Sequence, residues 1–284
     1  MAKFDQAEGL RRMLELPRLR VLTFMSALPP EERNGTLINL AASFVRNGKN
    51  TLMVDAKSTS STLSAWLNLK SDQTLLEVAR HQRTMDAVIK EVSPGLSVTK
   101  VANIIPKSLG LPQSGYRELS KVFDLAANRS DMVVVDCELN SDDSFILSSL
   151  DDSEMLIQVS TDPASITNAY GLIKRLNNRL GRRTYNIVVS GATEEQAQRV
   201  FFNLSLTARR YLAVELNFVG YVPEDMYLKR ATELGRAVVD AFPLSKAANA
   251  FVRMADKLLS SASGRFQLDA IPALGNHLGA HLEY

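Results

Sequence analysis

"RVLTFMSALPPEERNGTLINLAASFVRNGKNTLMVDA", residues 20–56, alternates two apolar runs with a helix-like segment between them. Residues 20–25 form an apolar run of strand character. Leu37, Ile38, Leu40, Ala41, Phe44 and Val45 then recur on one helical face, and Gly48 stands where a helix would stop. A second apolar run ends at Asp55. Strand, helix and strand in this order open many nucleotide-binding α/β folds, with a glycine-rich phosphate loop between the first strand and the helix. Here that connection reads Ala27-Leu28-Pro29-Pro30-Glu31-Glu32-Arg33-Asn34, without a glycine. The architecture is kept and the phosphate-binding chemistry is missing.

The same alternation continues outward. "LSVTKVA", "MVVVDC", "MLIQVS", "YNIVVSG" and "LNFVGYV" read as strands, and helical periodicity covers 115–127, 165–180, 194–211 and 245–260. Near-continuous Val/Ile/Leu strands alternating with amphipathic helices predict an α/β fold with a doubly wound, mostly parallel sheet covered on both faces. No repeat or linker divides the chain, so one domain is expected over residues 18–263. It carries a helix appendage at 1–17, with Pro17 as its stop, and a tail at 264–284.

Composition narrows the function classes. With 45% hydrophobic and 23% charged residues the 284-residue chain reads as an ordinary globular protein. No apolar run reaches the ~18 residues of a membrane span, and the start lacks a signal-peptide core, which places the protein in the cytoplasm. Thirty-three basic and 31 acidic residues give a net charge of +2 without a polybasic block, so nucleic acid is not an evident partner. The single cysteine, Cys137, sits in "MVVVDCELN" and reads as a packed thiol. Asp55 and Asp136 end predicted strands, where ligands bind in such sheets. They are candidates for a metal and phosphate site, or else plain strand-end aspartates that cap the next helix.

With these residues in view, the sequence resembles the MinD/ParA class of P-loop ATPases, and within it the FlhG (FleN) flagellar number and placement regulators. The resemblance runs through "DQAEGLRRM", "TDPASITNAYGLIKRLNNR", "EEQAQRVFFNLSLTARRYLAVELNFVGYVPED" and "AVVDAFPLSKAANAFVRMADKLL". It places Leu28 at that family's signature lysine, Pro29 and Pro30 at glycines, Glu32 at the last glycine, Arg33 at the P-loop lysine and Asn34 at the magnesium-binding threonine. Proline has no N–H and cannot take glycine's positive φ, so the cradle cannot form in the same way. Glu31 and Glu32 also put carboxylates where a helix N-terminus would favour phosphate, although Pro followed by two acids is equally a good helix start. Asp136 matches the Walker B aspartate, and Pro223-Glu224-Asp225 matches the region near the adenine. The asparagine expected near the end of the sixth predicted strand is Ser190. Lys57 replaces a second aspartate, where it either fills the place of a metal or phosphate or is a solvated lysine.

Arg33, Asn34, Asp55, Asp136, Pro223 and Asp225 thus outline a degenerate nucleotide pocket. The expected function is regulation of flagellar number and placement through protein contacts, with lost or weak ATPase activity and no cofactor. The alternative is an active MinD-like ATPase that binds ATP and Mg and toggles dimerisation and membrane association. "DQAEGLR" further resembles the motif by which FlhG proteins engage FlhF, a signal-recognition-particle-type GTPase. By that resemblance Gln6 is offered to the partner's active site, Asp5 and Arg11 dock the helix, and Ala7 and Leu10 lie on its apolar side. The same side could instead pack on the chain's own domain. Flagellar basal-body proteins and transcription regulators are further expected partners. The tail spaces Ile271, Leu274, Leu278 and Leu282 as a helix would, but it lacks cationic residues beyond Arg265. At most, weak peripheral contact with the inner face of the membrane is expected of it.

Overall fold

Three strands of the central sheet are buried at every position, as their unbroken apolar sequences require when helices cover both faces. A computed structural model describes residues 19–28, 30–57, 73–103 and 113–263. The N-terminal helix expected at 1–17, Pro29 and the tail at 264–284 lie outside them. Along the chain run β1 (Arg20–Ser26), α1 (Pro30–Arg46), β2 (Thr51–Ala56), α2 (Leu75–Ala79), α3 (Met85–Val88), β3 (Lys90–Ser93), β4 (Leu96–Lys100), α4 (Gln113–Ala127) and β5 (Met132–Cys137). A 3₁₀ turn (Ser148–Asp152) precedes β6 (Glu154–Ser160), α5 (Pro163–Leu180), β7 (Tyr185–Ser190), α6 (Glu194–Leu212), β8 (Leu216–Val222), α7 (Met226–Glu233), α8 (Val238–Ala241) and α9 (Lys246–Ser263).

The sheet has the order β3-β4-β2-β5-β1-β6-β7-β8. Among the described residues only the β3–β4 pair is antiparallel, a hairpin at one edge that turns at Gly95, whose φ of +79° favours glycine. Strand order reverses on either side of β1, the doubly wound pattern the sequence predicts. The period of two then divides the core. Leu22, Phe24, Met53 and Val134 pack under α1 and α9, while Val133, Val135 and Ile157 pack under α4, α5 and α6.

Helix boundaries follow local chemistry. α1 stops through Gly48 at φ +72°, whose N–H bonds to the Val45 carbonyl. α6 starts on a capping box in which Thr193 and Gln196 exchange side-chain and backbone bonds. No helix among the described residues is long and apolar enough to cross a membrane.

Candidate functional site

At the carboxyl end of β1 the chain has almost no loop. β1 ends at Ser26 and α1 begins at Pro30, which suits a first helical position because its missing N–H would be unpaired there anyway. The amides ahead of the helix bond to the protein itself. The Ala27 N–H donates to the Gln158 carbonyl at 3.0 Å, and the Leu28 N–H donates to Ser26 Oγ at 3.1 Å. Leu28 is buried. The backbone at Arg33 and Asn34 is helical, and a helix of this register commits the Asn34 N–H to the Pro30 carbonyl. The positions that the family resemblance assigns to a phosphate cradle fall in the first turn of a helix.

Beneath that turn lies a polar arc whose members share one face of the sheet. Ser26, Asp55, Asp136, Gln158 and Ser190 each sit an even number of residues from a core residue packed under α1. Gln158, fully buried, is satisfied on all sides. Its Oε1 accepts from Ser26 Oγ at 2.8 Å, and its Nε2 donates to Thr36 Oγ1 and Ser190 Oγ, both at 2.9 Å. One amide therefore ties β1, α1, β6 and β7 together. Ser190, at the end of the seventh observed strand, is spent on this network.

The charged half of the arc belongs to β2 and β5. Their register sets Asp55 directly beside Asp136, and both are buried. The Lys57 N–H donates to Asp55 Oδ1 at 3.3 Å, a local turn that folds the residue back over the strand ends. Its Nζ lies 2.5 Å from the Asp136 carboxylate. The side chains are 4% and 1% exposed, so this ion pair is shielded from solvent. Of the two sequence readings of Lys57, the solvated one is excluded. Cys137 follows Asp136 in the core; burial, reinforced by the Asp136 charge, pushes its thiol pKa far up, which makes it inert packing.

Asp225 works as a double helix cap. Oδ1 accepts from the Tyr227 N–H at 2.8 Å and Oδ2 from the Ala247 N–H at 2.9 Å, joining the starts of α7 and α9. Pro223 lies in the same β8–α7 connection. The structure thus brings Asp55 and Asp136 together, sets Arg33 and Asn34 in the helix above, and gives Asp225 a structural task. Asp5, Gln6, Ala7, Leu10 and Arg11 lie outside the described residues. Sequence reasoning missed Gln158, whose signal was a lone amide inside the apolar strand "MLIQVS". Among the described residues no three His, Cys, Asp or Glu side chains gather as a metal site. As they stand, these groups do not fit a magnesium–nucleotide: a cation at Asp136 would have to displace the Lys57 ammonium, and the Ala27 and Leu28 amides are already bonded within the protein.

No protein-family model matches the chain. It is 28% identical over 248 residues to the antiactivator FleN of Pseudomonas aeruginosa, covering 87% of this chain and 85% of that protein. In structure it is similar to the cell-division ATPase MinD of Pyrococcus furiosus, with a TM-score of 0.64 at 18% identity over 86% of this chain and all of that one. MinD complexed with Mg-ADP from Pyrococcus horikoshii gives 0.63 at 17% identity over 87% and 99%. ParA-family ATPases also match. In sequence the chain is thus similar to FleN, and its fold is that of the MinD and ParA-family ATPases, with a glycine-free connection after the first strand.

Proposed function

We propose that this protein regulates flagellar number and placement through protein contacts, without turning over ATP. Similarity to the antiactivator FleN supports the regulatory role. The observation that carries the rest is the start of α1 at Pro30, together with a strand-end aspartate already paired with Lys57. The second reading, an active MinD-like ATPase, draws on the MinD–Mg-ADP complex and on the retained pair Asp55 and Asp136. It would require both the helix start and the ion pair to rearrange.

The contacts we assign first are those of "DQAEGLRRM". Gln6 enters the nucleotide site of an FlhF-like GTPase and positions the hydrolytic water, with Asp5, Ala7, Leu10 and Arg11 docking the helix. A transcription activator is the second partner class, by analogy with the antiactivator. Surface for further contacts exists on α6, where Phe202 and Leu206, four residues apart, are 65% and 56% exposed. The protein is assigned to the cytoplasm. GTP hydrolysis by the FlhF-like partner tests the first contact. The full chain should stimulate it, and Gln6→Ala should lower the stimulated rate by roughly a hundredfold, the scale of a positioning effect. Equal stimulation by both proteins, or none by either, would remove this partner from the account.

A further inference from the structure

We propose that the Lys57 ammonium is a tethered substitute for a divalent cation at the Asp55–Asp136 carboxylate pair, so that the charge balance of the domain is independent of metal. The proposal rests on the reading of the site as unable to bind a magnesium–nucleotide. Neighbouring strands bring in-register residues to about 5 Å, and Asp55 and Asp136 are such a pair, both buried. Two buried carboxylates this close need a positive partner, or one must take up a proton. Lys57 supplies the partner at 2.5 Å from Asp136, and its own backbone N–H is held by Asp55. Lys100, buried and opposite Asp55 in the β2–β4 register, adds a second positive charge to the same row of strand ends. A bound magnesium ion dissociates, whereas a lysine side chain cannot leave, and the strand ends beneath α1 are therefore held in one arrangement.

Thermal unfolding of the full chain, in EDTA and in millimolar Mg²⁺ or Mn²⁺ without nucleotide, tests this. Wild type should unfold at the same temperature in all three. Lys57→Ala should lose roughly 6 °C or more in EDTA, the scale expected on breaking a buried pair, and should regain at least half of that loss with Mn²⁺. The double variant Lys57→Ala/Asp136→Leu, which removes both charges, should fold and show no response to metal. If Lys57→Ala folds only in the presence of metal while the double variant folds without it, the proposal is likewise supported. Metal stabilisation of wild type, a Lys57→Ala protein as stable as wild type in EDTA, a Lys57→Ala loss that metal does not recover, or a double variant that fails to fold would each overturn it. Mg-ATP binding by wild type, titrated alongside, contradicts the reading of the nucleotide site instead, so the two failures are distinguishable.

Discussion

Tyr185 opens β7 with its ring fully buried and its hydroxyl without a hydrogen-bond partner among the described residues. Burial pushes its pKa from the ordinary 10 up to about 12. Because the folded value lies above the unfolded one, its contribution to stability is complete below pH 10 and is lost as pH rises towards 12. Tyr185→Phe should therefore leave the urea midpoint at pH 7 unchanged or slightly raised and flatten its fall between pH 10 and 12; an equally steep fall in the variant would assign the alkaline limb to other groups. Cys137 offers a second residue-scale check. Its raised pKa and burial predict negligible alkylation of the native protein and full labelling in urea. Fast native labelling would mean that the strand ends open. At this scale the sequence was legible where a residue stands out from its pattern, as Asp55, Asp136 and Cys137 do. It was not legible where the role depends on a partner far along the chain. Lys57 meets Asp136 79 positions away, and Gln158 meets Thr36 122 positions away.

Among the elements, the start of α1 carries the largest consequence. Restoring glycine at Pro29, Pro30 and Glu32 should not create a competent ATPase, because Leu28 and the Lys57–Asp136 pair remain and groups that act as one site are strongly non-additive. Turnover in that triple variant comparable with active MinD proteins would show that the loop was the sole defect. Asp225 makes the complementary case for structure. Asp225→Ala strips one cap each from α7 and α9 and should cost about 1–3 kcal/mol in chemical denaturation. Asp225→Asn, which keeps one carbonyl acceptor, should recover part of it, and no loss in either variant would contradict the double cap. Seven strands were legible as near-continuous apolar runs, and the long helices because their periodicity extends over many residues. β3, α2, α3, α7 and α8 were not, since four to eight residues are too few to establish a period. The charged edge strand β3, "KEVS", is shaped by its hairpin rather than by apolar alternation.

Across the molecule, the fold is that of the MinD and ParA-family ATPases, while Asp136, Gln158 and Ser190 at the strand ends are bonded to the protein's own groups. Helix α1 reaches back to Pro30, Gln158 ties four elements beneath it, and Lys57 neutralises the strand-end aspartate. Each device is an internal contact that holds the strand ends and the start of α1 without a ligand. A domain held together this way should have no working nucleotide site. Isothermal titration of the full chain with Mg-ATP should therefore give no saturable heat, with no release of phosphate over the same period, whereas micromolar binding accompanied by turnover would show a functional ATP site.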